Sequence, residues 1–196
     1  MTASIFSNEL TAHQHCFDQL AQIKKQVDAV GHKMAEVITS GGKILVCGNG
    51  GSAADAQHFA AEVVGRLATD RPAAPAIALT TDSSILTAIA NDYGFDTVFA
   101  RQVAALAHPG DALIGISTSG NSPNVINAVD QARVLHCYTI ALTGNSGGIL
   151  APAAHAAVTV PSNSTQRIQE AHIFILHCWA MAVEQALLAL KTGPRP

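Results

Sequence analysis

Residues 43–55, KILVCGNGGSAAD, join a short apolar run to a glycine-rich turn and to the start of a helical pattern. Glycine lets the backbone turn sharply and approach a ligand closely. A strand that passes through such a turn directly into a helix is the repeating unit of α/β proteins, which bind ligands at the carboxyl ends of their strands. The stretch therefore predicts an α/β fold with a site beside residues 48–52.

The same alternation of strand-like and helical patterns continues along the chain. Short apolar runs between helical patterns are typical of a parallel sheet that is covered on both faces. We predict one doubly wound domain over residues 1–196, with five parallel strands and helices on both faces. The strand-like runs are 43–47, 76–79, 112–116, 138–142 and 156–160, and the helical patterns are 52–67, 83–90, 95–107, 122–135 and 165–190.

Long helices are expected at both ends of the chain. Apolar residues recur at helical spacing from Leu10 to about residue 40, where Gly41 and Gly42 end the pattern. This predicts an N-terminal helical segment over residues 1–40, ahead of an α/β core and terminal helix over 41–190. One helix of about 25–30 residues is long beside a mean of about 11–12, so it is expected to pair with a second subunit.

The composition excludes several classes of protein. A net charge of −3 offers no basic surface for nucleic acid. The four cysteines have no metal-binding spacing, the first residues do not resemble a signal peptide, and no apolar run approaches the ~20 residues of a membrane span. We therefore expect a cytoplasmic protein without membrane or nucleic-acid partners. The charged fraction of only 13% indicates that copies of the chain bury surface against each other.

Two turns at predicted strand ends are suited to hold a phosphate. In the first, residues 48–52, Ser52 is expected to cap the following helix; the sequence is neither a P-loop nor a dinucleotide fingerprint. In the second, residues 117–122, four hydroxyl groups precede Pro123, more than a helix cap requires. Such neutral cradles suit a sugar phosphate better than a triphosphate. A third turn, residues 143–148, is expected to be structural.

Titratable residues stand near the first turn and in the last helical pattern. His58 and Glu62 are four residues apart and share one helix face. His177 lies in an apolar run, where a buried structural histidine and a catalytic acid, base or metal ligand are both possible. From these residues alone the sequence indicates a protein that binds a sugar phosphate near ionisable groups.

Four blocks of the sequence resemble those of the phosphoheptose isomerases, a branch of the sugar isomerase (SIS) fold. The blocks are GNGGSAADAQHFAAE (48–62), LTTDSSILTAIANDYGF (79–95), ISTSGNS (116–122) and RIQEAHIFILH (167–177). The resemblance implies a homotetrameric zinc enzyme that converts D-sedoheptulose 7-phosphate to D-glycero-D-manno-heptose 7-phosphate through an enediolate. It would supply heptose for lipopolysaccharide.

The resemblance also implies roles for individual residues. Glu62 is the expected base and His177 the expected acid. Zinc would be held by His58, Glu62, Gln169 and His177, and the substrate would be bound by Asn49, Gly50, Gly51, Ser52, Glu62, Asn91, Asp92, Ser117, Thr118, Ser119, Ser122 and Gln169.

Helical geometry conflicts with one part of this assignment. Gln169 and His177 are separated by about 12 Å along a helix and about 80° around it, so they do not converge on one ion. Either the helix is kinked or the site is completed across a subunit interface, and we favour the interface. Two other functions stay open: a non-catalytic SIS-fold regulator that binds the replication initiator DnaA, and an isomerase of another sugar phosphate. Members of the regulatory branch typically lack the Glu and His that this chain has as Glu62 and His177.

Overall fold

The computed structural model describes residues 4–192, and at its centre lies a sheet of five parallel strands. The strands are β1 (Ile44–Gly48), β2 (Ala76–Ala78), β3 (Ala112–Ser117), β4 (Tyr138–Thr143) and β5 (Ala156–Thr159). Their order is β2-β1-β3-β4-β5, which confirms the predicted parallel sheet. The order reverses between β1 and β3, and doubly wound sheets bind ligands at that point. The ends of the predicted domain, residues 1–3 and 193–196, lie outside the described range, and its extent over 1–196 stays a prediction.

Helices cover both faces of the sheet, because alternate strand residues point to opposite sides. In β1, Ile44 and Val46 join the apolar core beneath the terminal helices, whereas Leu45 and Cys47 join the core on the other side. The helices are α1 (Ile5–Gln19), α2 (Lys24–Thr39), α3 (Gly51–Val64), α4 (Ser83–Tyr93), α5 (Val98–Leu106), α6 (Pro123–Val134), α7 (Leu150–Ala153) and α8 (Thr165–Thr192), with 3₁₀-helices at Leu20–Ile23 and Phe95–Thr97.

The N-terminal segment is not the single long helix that the sequence predicted. The 3₁₀-helix Leu20–Ile23 separates α1 from α2, and the backbone of Ile23 leaves the α-helical region with φ −104° and ψ 7°. The apolar residues Phe17, Leu20 and Ile23 are spaced by three, which matches the three residues per turn of a 3₁₀-helix. The shorter repeat keeps these side chains on the core side.

Helix α8 is a core element of the described chain. By length and composition its stretch Thr165–Leu190 could also cross a membrane, with a mean hydropathy of 1.8, although the sequence had suggested no such run. In the structure Trp179 is fully buried and donates from Nε1 to the carbonyl of Val27 at 2.9 Å. His172 donates from Nε2 to the carbonyl of Thr143 at 3.0 Å. Burial, partly opposed by this bond, lowers the pKa of His172 to about 4, so it is a neutral core histidine.

The turn after β4 supports the loop after β3, as predicted for a structural turn. The N–H of Gly144 donates to the carbonyl of Thr118 at 3.1 Å, and that of Leu150 donates to Gly120 at 2.9 Å. Gly120 has φ +68°, and a Cβ there would lie 2.0 Å from the carbonyl oxygen of Gly147. Only glycine therefore fits between the two turns. The short helix α7 that follows was missed by the sequence pattern, because four residues are too few to show a helical period.

Candidate active site

The two predicted phosphate cradles meet at the carboxyl edge of the sheet. β1 and β3 are neighbours, with Gly48 opposite Ile116, so the turns that follow them lie side by side. Asn49 and Asn124 join them through two reciprocal amide hydrogen bonds of 2.9 and 2.8 Å. Asn124 is buried, and the sequence reading missed it because its partner lies 75 residues away. The pair fixes the spacing of the two cradles.

The first cradle differs in detail from its prediction. The residue at the start of α3 is Gly50, with φ +55° and ψ −120°, and no side chain caps this end of the helix. Ser52 is therefore not the cap, and that prediction was wrong. Ser52 is instead buried inside the first turn of α3, where a Cβ on Gly48 would lie 2.8 Å from the Cβ of Ser52. Helix α3 starts earlier because glycine at position 50 adopts a conformation unsuited to other residues.

The second cradle keeps several hydroxyl groups free of helix capping. Ser122 precedes α6 without making a side-chain cap, and its Oγ lies 2.9 Å from Oγ of Ser117. Oγ of Ser119 accepts the N–H of Asn121 at 3.2 Å, and Thr118 supplies its carbonyl to the turn after β4. The loop is thus held by its backbone, which leaves hydroxyl hydrogen atoms available to an oxyanion.

Three predicted residues come together on α3 and α8 of one chain. Nε2 of His58 lies 3.0 Å from Nε2 of His177 and 3.4 Å from Oε1 of Glu62. The side chains of His58 and Glu62 are 49% and 21% exposed, so both remain accessible. A carboxylate and two imidazoles at these distances form a site able to exchange protons.

Gln169 stands apart from this cluster. A Cβ on Gly51 would lie 2.5 Å from Nε2 of Gln169, so the amide covers the glycine turn. Contacts between α3 and α8 then occur in the same order along both helices, with Gly51 beside Gln169 and His58 beside His177. The two helices therefore run in the same direction, and Gln169 stays about 12 Å along α8 from His177.

The structure shows how the predicted residues divide within one chain, and completion of the site across a subunit interface stays a prediction. Helix α8 is uninterrupted from Thr165 to Thr192, so no break in the helix brings Gln169 to the histidines. Nor is a second chain needed to bring His177 to His58 and Glu62. The four residues predicted to hold zinc divide into a cluster of three and a separate amide, because the helix register is fixed.

Zinc suits these three residues in donor type, and the distances of His58 from the other two suit pairs of zinc ligands. Zinc takes imidazole and carboxylate donors at about 2.0–2.2 Å, which places two tetrahedral ligands about 3.3 Å apart. The distances from His58 Nε2, 3.0 and 3.4 Å, are close to this value. As the side chains of residues 4–190 stand, no three His, Cys, Asp or Glu groups surround a common point. Metal binding would therefore require the side chain of Glu62 or His177 to rotate, so that both side chains and His58 face the same ion.

Asn91 and Asp92 are not brought to the cluster within one chain. Both are exposed on α4, where Nδ2 of Asn91 donates to Oδ1 of Asp92 at 2.8 Å. Helix α4 has no buried residue, so it lies on the outside of its own subunit.

Asp55 is an ionisable residue of this region that the sequence reading missed. It lies on α3 between Gly51 and His58, and its Oδ2 is buried without a hydrogen-bond partner among the described residues. Burial raises the pKa of Asp55 to about 6, and the nearby His58 acts in the opposite direction. A single carboxylate forms no sequence motif, so Asp55 is identified only by its buried position in the folded chain.

We predict that Asp55→Asn stabilises the metal-free protein at pH 7 by about 1–2 kcal/mol, allowing for partial exposure of the carboxyl group. The pKa is higher in the folded chain than the ordinary 3.8, so wild-type stability falls as pH rises from about 4 to 6. The gain should vanish below about pH 4. Urea denaturation at pH 4, 5, 6 and 7 with chelator measures it.

The exposed Asp70 provides a control for this measurement. Asp70→Asn should change stability by less than about 0.5 kcal/mol at every pH. An Asp55→Asn variant with the same pH dependence as the wild type would show that the carboxyl group is not perturbed.

Comparison with known proteins places this site in a family. Residues 10–144 match the SIS domain family model. The chain is 48% identical over 191 residues to a phosphoheptose isomerase of Trichlorobacter lovleyi, with 97% of each chain covered. It is 53% identical over 185 residues to one from Aliarcobacter butzleri, with 94% of this chain and 98% of the relative covered.

Solved structures agree with these similarities. The phosphoheptose isomerase GmhA of Neisseria gonorrhoeae superposes with a TM-score of 0.87 at 43% identity, covering 92% of this chain and 97% of that one. A phosphoheptose isomerase of Francisella tularensis gives 0.89 at 38% identity, with coverage of 92% and 96%. The Vibrio vulnificus NanR protein complexed with ManNAc-6P, at 15% identity and a TM-score of 0.69, covers 97% of this chain and 66% of its own and shares the fold alone.

Proposed function

The chain belongs to the phosphoheptose isomerases of the SIS-domain family, and from that membership we propose that it converts D-sedoheptulose 7-phosphate to D-glycero-D-manno-heptose 7-phosphate. The product would supply heptose for lipopolysaccharide. The observation that carries the proposal is the meeting of His58, Glu62 and His177 in one chain. Helix α3 leads to this cluster from the glycine turn, which the Asn49–Asn124 pair joins to the hydroxyl-rich loop.

The distance between the cradles and the cluster suits a sugar phosphate. The glycine turn at Gly51 and His58 are about 10 Å apart along α3. A substrate whose phosphate is bound at Ser117, Ser119 and Ser122 would extend its carbonyl end past the turn toward Glu62. Binding energy from the remote phosphate then orients the reacting carbons. In this proposal Gln169, whose amide covers Gly51, contacts the hydroxyl groups of the sugar chain.

The reaction moves a proton between the first two carbons of the sugar. In our proposal Glu62 removes the proton from C1 of the ketose, which leaves an enediolate, and returns a proton to C2 to give the aldose. His177 transfers the accompanying proton between the oxygens on C1 and C2. Both groups have to reach the same end of the substrate, and their common contact with His58 supports this role.

Zinc is the cofactor that we propose, with His58, Glu62 and His177 as ligands. When bound, the ion would polarise the oxygens on C1 and C2 as a Lewis acid. Gln169 is left out of this set because it covers Gly51. His58 then orients the cluster, since both close contacts include its Nε2.

We propose that the chain is a cytoplasmic homotetramer. Apolar side chains on the outer helices support assembly, because Phe6 and Ile85 are 74% and 40% exposed and Tyr93 and Phe95 are 56% and 57% exposed. Covering α4 with a second subunit would place Asn91 and Asp92 at an interface, from which they could contact the substrate of a neighbouring chain.

Replacing Glu62 tests its proposed role as the base. Glu62→Gln should lower kcat on sedoheptulose 7-phosphate by about 100- to 10,000-fold, because the amide cannot accept the proton. Phosphate binding should be retained, since the hydroxyl-rich loop is unchanged. Steady-state assays of aldose formation, with calorimetric titration of the substrate, measure both quantities.

Glu36→Gln is the matched control, because Glu36 is exposed and pairs with Lys33 on α2. It should leave kcat unchanged. Near-normal turnover by Glu62→Gln would remove Glu62 from the role of base. If the folded wild-type protein did not convert sedoheptulose 7-phosphate, the result would favour a non-catalytic regulator that binds DnaA or an isomerase of another sugar phosphate.

Replacing His58 or Gln169 tests which residues bind zinc. His58→Ala should weaken zinc binding by at least about tenfold, because it removes the donor shared by both close pairs. Gln169→Ala should leave zinc affinity within about twofold of the wild type. Competition with a chromogenic chelator measures affinity without requiring turnover. The reverse order of effects would show that Gln169 is a ligand and His58 is not.

A further inference from the structure

A buried ion pair joins α8 to the segment that follows α3. The side chains of Arg71 and Glu184 are 0% and 1% exposed, and Arg71 Nε lies 3.6 Å from Oε2 of Glu184. The Glu184 carboxylate also accepts the backbone N–H groups of Leu67, Ala68 and Thr69 at 3.0–3.2 Å. Burial alone would raise the pKa of Glu184, but these bonds and Arg71 outweigh it and lower the pKa. The carboxylate is therefore held charged.

Arg71 connects this pair to the residue proposed as the base. Its NH2 group donates to the carbonyl of Glu62 at 2.8 Å, and its NH1 group donates to the carbonyl of Pro72 at 3.0 Å. Because α3 ends at Val64, the carbonyl of Glu62 lies in the last turn, where helical partners are lacking. The guanidinium caps that turn and places a cation at the negative end of the helix.

Glu184 ties the capped turn to the helix that bears His177. The two residues are about two turns apart on α8 and share a face. Glu184 meets the segment 67–69 just beyond the end of α3, later along both chains of contact than the meeting of His177 with His58. Two sets of contacts thus connect Glu62 to His177, one through Arg71 and Glu184 and the other through His58.

We propose that Arg71 and Glu184 are positioning residues that fix Glu62 relative to His177. The inference rests on the proposed isomerase activity. A buried ion pair seldom adds net stability compared with apolar residues of similar size, so stability alone does not account for charges at this place. A displacement of about 1 Å at a reacting group lowers rates by about 100-fold, and the last turn of α3 is free to move once its cap is removed.

The test is the double variant Arg71→Met with Glu184→Gln, which removes both charges, keeps an unbranched side chain at position 71 and keeps the shape of the side chain at position 184. We expect kcat on sedoheptulose 7-phosphate to fall by about 10- to 100-fold, with KM within about twofold because the hydroxyl-rich loop is untouched. Circular dichroism and thermal melting establish that the variant is folded at the assay temperature. Arg71→Lys, which keeps the charge, should recover part of kcat.

The chain provides a matched control at the amino ends of β1 and β3. Lys43 and Asp111 form another ion pair, with side chains 20% and 4% exposed, and Asp111 likewise accepts backbone N–H groups, from Lys43 and His108. Lys43→Met with Asp111→Asn should lower the melting temperature comparably and leave kcat unchanged. A purely structural role for Arg71 and Glu184 would make the two double variants alike.

The outcomes separate this inference from the proposed function. An active wild type with an Arg71→Met, Glu184→Gln variant of unchanged kcat would overturn the positioning role only. An inactive, folded wild type would overturn the isomerase proposal. Should the double variant fail to fold, Arg71→Lys is decisive alone: a lowered kcat at constant KM supports the inference, and an unchanged kcat contradicts it.

Discussion

The parallel packing of α3 against α8 determines which functional groups of this chain can meet. Because the two helices run in the same direction, residues later in one helix lie opposite residues later in the other. Gly51 thus faces Gln169, His58 faces His177, and the segment after α3 faces Glu184. A substitution that shifted this register would separate all three contacts together.

The reversal of strand order between β1 and β3 supplies the other half of the site. The two turns at this point come from distant parts of the sequence, and the Asn49–Asn124 amide pair links them. Neither turn contains a Lys or Arg, so an anion would be held by hydroxyl and amide groups at helix starts. Such a cradle binds a phosphate monoester without placing a cation against it, which leaves the proton-transfer groups as the main ionisable groups nearby.

Much of the fold follows from local patterns in the sequence, and the departures have identifiable causes. Apolar runs bounded by turns predicted all five strands, since helices cover both faces of the sheet. The break at Leu20–Ile23 was missed because apolar spacings of three and four both fit a helix. Ser52 was misassigned as a cap because glycine at position 50 allowed α3 to start earlier.

The sequence identified His58, Glu62 and His177 as candidates, but the separation of Gln169 from them depends on helix direction. Arg71 and Glu184 carry no motif, and their pairing across more than 100 residues appears only in the folded chain.

Activity in mixtures of inactive variants tests most directly whether Glu62 and His177 act within one chain. Glu62→Gln and His177→Gln chains would be co-expressed with different tags, and doubly tagged assemblies would be purified and assayed on sedoheptulose 7-phosphate. Because every chain then has a damaged cluster, we predict activity no greater than that of the two variants measured separately. Recovery of a substantial fraction of wild-type activity would contradict the account, because it would show that the base and the acid come from different chains.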